Sequence, residues 1–298
     1  MNITITGASG FIGRRLMKTL AGEGHSLHVL SRHAGTNLPA GVRLSAWDCL
    51  KGEPPADSLR DADAVIHLAG EPVAQRWTDQ AKRLIRETRV TGTRNLVAAL
   101  SKLERRPQAL ICASAVGYYG SRGDDILVES SAPGSDYLAE VCQAWENEAC
   151  AAEGLGMRVV RVRTGLVLGA RGGALLRMLP PFKMGVGGKL GDGRQWMPWI
   201  HLQDLVDLYQ FAAEKPVRGA LNGTAPSPVM NADFTRALAS ALHRPALFPV
   251  PKLALSLLFG EMSAILLASQ RVQPKEAEAA GFRFRFPQLE AALSDVLK

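Results

Sequence analysis

The 298-residue sequence predicts an α/β fold, in which a parallel sheet is flanked by helices and followed by a smaller, mainly helical C-terminal lobe. Two observations predict this fold. In the first half of the chain, short runs rich in β-branched residues alternate with longer stretches of helical periodicity, which is the pattern of βαβ units. Beyond residue 168 the alternation stops, and glycine- and proline-rich segments separate patterns that are mostly helical.

Six short β-rich runs are the predicted strands, and they cover residues 2–6, 27–30, 42–46, 64–68, 109–113 and 157–162. Helical patterns lie between them at residues 11–21, 78–100 and 136–153. Because a strand, its crossover helix and the next strand pack in parallel, the six strands are expected to form one sheet. The last quarter of the chain adds helical patterns at residues 232–242, 252–268 and 287–297.

A glycine-rich turn with the spacing GxxGxxG joins the first predicted strand to the first predicted helix. Gly7 permits the tight turn, Gly10 lets a ligand approach the backbone, and Gly13 lets the helix pack closely on the strand. The N–H groups at the start of the helix lack partners within it, so they favour a bound phosphate. This context predicts a Rossmann-like parallel sheet that binds a dinucleotide. The expected contacts in the turn are Gly7, Ser9, Gly10, Phe11, Ile12 and Gly13.

The end of the second strand indicates which dinucleotide is bound. An NAD site places an acidic residue about 20 residues after the glycine turn, where it binds the ribose 2′-hydroxyl. Here Ser31 and Arg32 occupy that region, and a hydroxyl and a guanidinium favour a 2′-phosphate. The sequence therefore favours NADP(H), with a merely solvated Arg32 as the alternative. Asp48, after the third strand, either accepts a hydrogen bond from the adenine amino group or serves as a turn residue.

These signals divide the chain into two parts. Residues 1–168 are expected to form an NADP-binding Rossmann domain, to which residues 196–224 return. Residues 169–195 and 225–298 are expected to form a small C-terminal substrate lobe. Within that lobe, the glycine-rich stretch at residues 185–194 is either a loop that covers the substrate or a plain connection.

Composition limits the expected partners. The net charge is +7, but Lys and Arg are spread along the chain without a nucleic-acid motif, so no nucleic-acid partner is expected. The four cysteines show neither CxxC spacing nor a His/Cys cluster, which predicts reduced thiols in a cytoplasmic protein and no metal site. The apolar stretch at residues 253–268 is interrupted by Gly260 and Glu261 and is shorter than the roughly 20 residues of a bilayer span. No membrane association is expected.

Several motifs resemble those of a known superfamily. Residues 6–13, 67–70, 90–96 and 199–204 resemble the extended short-chain dehydrogenases/reductases. The epimerase-like family typified by the bacterial protein YfcH is similar at residues 70–71, 76–77, 116–120 and 145–146 and from about residue 247 onwards. The resemblance covers essentially the whole chain. It implies an NADP(H)-dependent oxidoreductase or epimerase that acts on a small molecule, with a nucleotide-sugar as one candidate.

The resemblance also implies a catalytic Ser or Thr, a Tyr and a Lys, the last two spaced YxxxK. Tyr137 is the matching tyrosine, but Val141 stands where the lysine belongs. An unperturbed tyrosine has a pKa of about 10, so its ionised form lies roughly 4 kcal/mol uphill at neutral pH. Ser114 falls one residue early on the superfamily's serine pattern, with Ala115 in that place, and a one-residue bulge would restore it. Alternatively, Tyr137 is a helix tyrosine with a packed ring and a surface hydroxyl.

The segment after the fourth strand is expected to contact the cofactor, because ligands bind outside the carboxyl ends of parallel strands. Its cofactor contacts are expected to be Leu68, Ala69, Gly70, Glu71 and Arg76. Arg163 and Thr164, after the sixth strand, are candidates for the substrate side, although Arg163 could instead cap the strand.

Two functions stay open at this level. The glycine turn and Tyr137 favour an NADP(H)-dependent enzyme, whereas the missing lysine favours a catalytically weak NADP(H)-binding sensor or regulatory module. Superfamily relatives often dimerise through two helices, and the resemblance assigns that role to residues 78–100 and 136–153. The substrate and the direction of the reaction are left open.

Overall fold

The computed structural model describes residues 1–32 and 38–298. Its strands are β1 (Asn2–Thr6), β2 (Ser26–Ser31), β3 (Arg43–Ala46), β4 (Ala64–His67), β5 (Ala109–Ala115), β6 (Ile126–Leu127), β7 (Arg158–Thr164), β8 (Leu166–Leu168), β9 (Trp196–Met197), β10 (Trp199–His201), β11 (Gly219–Gly223), β12 (Val229–Met230) and β13 (Arg271–Val272). Its helices are α1 (Phe11–Gly22), α2 (Asp79–Ser101), α3 (Tyr137–Cys150), α4 (Gly173–Lys183), α5 (Leu202–Glu214), α6 (Asn231–Ala241), α7 (Lys252–Phe259), α8 (Ser263–Leu267), α9 (Lys275–Ala279) and α10 (Leu289–Val296). Short 3₁₀ helices cover Ala56–Ser58, Val116–Tyr119, Ala151–Leu155 and Gly260–Met262.

Seven parallel strands form the main sheet, in the order β11-β7-β5-β4-β1-β2-β3. The strand order reverses at β1, because β2 and β3 extend the sheet on one side of it and β4 lies on the other. In sheets of this kind, ligands bind at the reversal point, in the crevice outside the carboxyl ends of the strands. All six predicted strands are present, and the predicted Rossmann-like fold is confirmed.

The main sheet is covered by helices on both faces, so successive residues of β1 and β4 are buried whichever face they point to. On one face, the fully buried Ile3 packs in a cluster with Leu16 of α1 and Leu205 of α5. On the other face, Val65 packs in a cluster with Leu96 of α2 and with residues of α3. Burial of both faces fixes the strand register.

A third cluster of buried apolar side chains joins α4, α6 and α10, and Trp199 and Phe234 are its largest fully buried members. The single helix predicted at residues 252–268 is wrong, because Gly260 adopts the left-handed region (φ +58°) and ends α7 before α8 begins. Within the described residues, no helix has the length and apolar character needed to cross a membrane.

Candidate functional site

The glycine turn lies at the carboxyl end of β1, at the point where the strand order reverses. Gly7 has φ +70°, and a Cβ added there would lie 2.7 Å from the backbone carbon of Leu68. A Cβ on Gly13 would lie 2.3 Å from the Gly7 carbonyl oxygen. Since backbone atoms block both positions, the fold itself requires these two glycines.

Gly10 differs from the other two glycines because its outer side faces open space. Its φ of −72° suits any residue, and an added Cβ would meet one described atom within 4 Å, the Gly7 carbonyl oxygen at 3.2 Å. Gly10 is also the N-cap of α1, where no described side chain caps the helix and the first turn carries no acid. The N–H groups at this helix end are therefore available to an anion. The residues present fit the pyrophosphate of a dinucleotide.

A buried polar chain, absent from the sequence predictions, fixes the glycine turn from behind. The Thr6 hydroxyl accepts the N–H groups of Leu68 and Ala69 at 3.2 and 3.1 Å. Its own proton therefore goes to His67 Nδ1 at 2.7 Å, and His67 Nε2 donates to Thr93 Oγ1 at 3.1 Å. Burial lowers the pKa of His67 to about 4. A neutral His67 thus ties β1, β4 and α2 together.

The ends of β2 and β3 lie side by side and form the corner expected to bind the adenosine. The Trp47 N–H donates to the Ser31 carbonyl at 2.9 Å. Ser31 is buried, while Arg32 is exposed at the end of its strand. Asp48 Oδ1 accepts the Leu50 N–H at 3.1 Å, so Asp48 is a turn residue. Its contact with adenine stays a prediction.

The segment after β4 passes along the start of the crevice. The Glu71 N–H donates to Thr88 Oγ1 of α2 at 3.0 Å, and its carboxylate accepts from Gln75 Nε2 at 3.3 Å. Gly70 and Arg76 are exposed. The hydrogen bonds of Leu68 and Ala69 to Thr6 hold this segment next to the glycine turn. Contacts between the segment and a cofactor stay a prediction.

Tyr137 is the first residue of α3 and has a packed ring. Its hydroxyl donates to the backbone carbonyl of Lys82 at 2.6 Å, and Trp77 meets the ring edge-on with centroids 5.2 Å apart. Burial raises the pKa of Tyr137. Val141, one turn further along α3, is buried. A catalytic role for Tyr137 stays a prediction, and it requires the hydroxyl to leave the Lys82 carbonyl.

Ser114 is buried in the interior, one residue before the end of β5. Strand β5 pairs with β7 residue for residue from Ala109 to Ala115, so no bulge shifts Ser114 into the superfamily's serine position. Its hydroxyl donates to Glu146 Oε1 of α3 at 2.6 Å. Ser114 is therefore part of a buried polar cluster, and its catalytic role stays a prediction.

That buried cluster centres on Arg163, which the sequence suggested for the substrate side or for a strand cap. Its guanidinium binds Glu146 with two hydrogen bonds of 2.8 and 2.9 Å and donates to the Tyr119 hydroxyl at 2.9 Å. The Tyr119 hydroxyl donates to Asn222 Oδ1 at 2.7 Å, and burial raises its pKa to about 12. The Tyr118 ring centroid lies 3.4 Å from the guanidinium carbon. These partners come from distant parts of the chain, so no local spacing signals them.

Comparisons with known proteins agree with this geometry. The family model described as "NAD dependent epimerase/dehydratase family" matches residues 3–225, and one described as "Domain of unknown function (DUF1731)" matches residues 250–296. The chain is 40% identical over 312 residues to the epimerase family protein SDR39U1 homolog, chloroplastic, of Arabidopsis thaliana, covering 100% of this chain and 87% of that protein.

Two solved structures are also similar over the whole chain. The crystal structure of human epimerase family protein SDR39U1 (isoform 2) with NADPH has a TM-score of 0.90 and 34% identity, and the match covers 99% of each chain. The crystal structure of the nucleoside-diphosphate sugar epimerase from Corynebacterium glutamicum has a TM-score of 0.80 and 38% identity. That match covers 100% of this chain and 58% of the other.

Proposed function

This chain belongs to the NAD dependent epimerase/dehydratase family, and on that premise we propose that it binds NADP(H) and catalyses an oxidoreductase or epimerase reaction on a small molecule. A nucleotide-sugar is the proposed substrate class. The observation that carries the proposal is the glycine turn, where the open side of Gly10 adjoins an uncapped helix N-terminus. The human relative crystallised with NADPH supports the choice of cofactor, as does Arg32 at the end of β2.

Different residues of the crevice bind different parts of the cofactor. The first N–H groups of α1 hold the pyrophosphate, and the exposed Arg32 holds the 2′-phosphate. Glu71 and Arg76 contact the nicotinamide ribose. Bound NADP(H) supplies the hydride donor or acceptor. Tyr137 exchanges a proton with the substrate oxygen, once its hydroxyl has moved away from the carbonyl of Lys82.

Calorimetric titration with NADPH and NADH tests the cofactor assignment. The wild type is expected to prefer NADPH, and Arg32→Ala should weaken NADPH binding about 10- to 100-fold while leaving NADH binding unchanged, because only NADPH loses charge-assisted bonds to its 2′-phosphate. Arg105→Ala is the matched control, since this arginine is 76% exposed beside Asp63, just before the amino end of β4. Equal affinity of the wild type for both nucleotides would overturn the assignment.

A second candidate function is a catalytically weak NADP(H)-binding sensor or regulatory module. Three observations favour it: the hydroxyl groups of Ser114 and Tyr137 are bonded to Glu146 and to a backbone carbonyl, and Val141 brings no charge. Tyr137→Phe separates the two candidates. Turnover of NADPH that disappears in this variant supports the enzyme, whereas nucleotide-dependent partner binding without turnover supports the sensor.

The finer assignments are also our proposals. We place the chain in the epimerase-like group typified by YfcH, with residues 1–168 and 196–224 as the cofactor domain and residues 169–195 and 225–298 as the substrate lobe. The buried cluster that joins α4, α6 and α10 supports a C-terminal lobe, and Leu168 and Trp199 of the cofactor domain pack into that cluster. A cytoplasmic location is supported by the four free cysteines. We propose a homodimer through α2 and α3, without nucleic-acid or membrane partners, and sedimentation analysis tests its mass.

A further inference from the structure

Arg89 of α2 places a guanidinium directly beneath the segment that follows β4. Its Nη1 donates to the Glu71 carbonyl at 2.9 Å and to the Ile85 carbonyl at 3.0 Å. Its guanidinium carbon lies 5.1 Å from the ring centroid of Trp145 in α3. A Cβ added to Gly70 would lie 3.2 Å from the same carbon. A positive charge is therefore held between α2, α3 and the crevice.

The position of this charge along α3 follows from the contacts of the two helices. At the start of α3, Tyr137 bonds to the carbonyl of Lys82 in α2. About two turns further along both helices, Trp145 of α3 lies beside Arg89 of α2. The helices therefore run side by side in the same direction. Val141 lies midway between Tyr137 and Trp145. Because Arg89 bonds back to the carbonyl one turn before it, its guanidinium lies close to the level of Val141.

The charges that face Tyr137 come from α2. Burial raises the pKa of Tyr137, and Arg89, Lys82 and Arg86 each act against that rise, in that order of strength. Lys82 is paired with Glu261 at 2.7 Å, and Arg86 is exposed to solvent. The hydrogen bonds of Arg89 go to neutral carbonyl groups, and no carboxylate of the described residues forms an ion pair with it. The Glu71 carboxylate also acts on the charge of Arg89. Unlike Lys82, however, Arg89 has no ion-pair partner among the described residues, and unlike Arg86 it is partly buried.

We propose that Arg89 is a positioning residue that supplies, from α2, the positive charge beside Tyr137 that Val141 cannot supply from α3. This inference rests on the proposed enzymatic function. An ionised Tyr137 can accept the proton of a substrate hydroxyl, and a partly buried cation nearby favours that ionised form. The same guanidinium holds the Glu71 carbonyl, so it also fixes the segment after β4.

Ultraviolet difference titration of tyrosinate tests the inference without substrate. The signal of Tyr137 is obtained as the difference between each protein and the same protein carrying Tyr137→Phe. Arg89→Gln is expected to move the Tyr137 midpoint to higher pH, and Arg89→Lys is expected to keep it near that of the wild type. Arg83→Gln is the matched control, because Arg83 is an exposed cation on the same helix.

The midpoint of the Tyr137 titration in Arg89→Gln decides whether Arg89 has this role. An unchanged Tyr137 midpoint in Arg89→Gln, with a native circular dichroism spectrum, would overturn the inference. If Arg89→Gln does not fold, Arg89→Met keeps the aliphatic stem and gives the same comparison. The titration is run without nucleotide and with NADP⁺. Failure of NADP⁺ to bind contradicts the proposed function, whereas the nucleotide-free comparison still decides the role of Arg89.

Discussion

Replacing Gly10 by alanine should separate cofactor binding from folding. The backbone φ of −72° accepts alanine, and the added methyl would meet the Gly7 carbonyl oxygen at 3.2 Å. Alanine lowers the entropy of the unfolded chain, but it is a poorer N-cap than glycine and makes this one tight contact. The free energy of unfolding should therefore change by less than about 1 kcal/mol.

NADPH binding should suffer much more than stability in Gly10→Ala. The methyl would occupy the open side of the turn, where the pyrophosphate must approach the N–H groups of α1. The loss of one or two hydrogen bonds to a charged group weakens NADPH binding by about 10- to 100-fold. Calorimetric titration measures the affinity, and urea unfolding measures the stability.

Gly13→Ala is the contrasting variant. Its Cβ would lie 2.3 Å from the Gly7 carbonyl oxygen and 2.6 Å from the Cα of Ala8, and neither backbone atom can move freely. We expect it to lose about 1–3 kcal/mol of stability through overpacking. Gly10 does not have the proposed role if Gly10→Ala binds NADPH like the wild type, or if this variant destabilises the protein as much as Gly13→Ala does.

Three further predictions concern the buried polar groups. Ser114→Ala should lower the free energy of unfolding by about 1–3 kcal/mol, because it removes a hydrogen bond from the buried Glu146. NADPH affinity should stay unchanged. Urea unfolding and calorimetry measure the two quantities, and an unchanged stability would contradict the prediction. Arg163→Met leaves the Glu146 carboxylate buried without its main partner, so the free energy of unfolding in the same assay should fall by about 3 kcal/mol or more. A loss below about 1 kcal/mol, which is the value of an exposed ion pair, would contradict the buried network. Burial lowers the pKa of His67 to about 4. Between about pH 4 and pH 6.5, His67 is therefore protonated in the unfolded chain but neutral in the folded protein. Its contribution to stability is complete above that window and falls as the pH falls through it, by about 2 kcal/mol at pH 5. Urea unfolding near pH 5 and pH 7.5 should show this loss in the wild type beyond that of His67→Gln, and equal losses would contradict it.

The sequence predicts the parts of the fold that depend on local pattern. The β-rich runs at residues 2–6 and 64–68 predict two strands, and their bounds agree with those of β1 and β4 to within one residue. Thr78 is the N-cap of α2, and its side chain accepts the N–H of Ala81. The glycine turn was predicted because its requirements are those of a short backbone segment.

Contacts between distant segments escape this kind of prediction. Thr6, His67 and Thr93 form one chain of hydrogen bonds only because β1 pairs with β4 and α2 crosses behind them. The orientation of Ser114 depends on the unbroken register of β5 with β7, which the residues around it do not reveal. In the sequence, Arg89 is indistinguishable from the other arginines of α2, and its position beside α3 appears only in the folded protein.

A crystal structure of the protein with bound NADPH tests the central claim most directly. We expect the pyrophosphate within hydrogen-bonding distance of the first N–H groups of α1 (Phe11–Gly22), on the open side of Gly10, and the 2′-phosphate beside Arg32. NADPH bound elsewhere, or bound here with its 2′-phosphate turned away from Arg32, would contradict it.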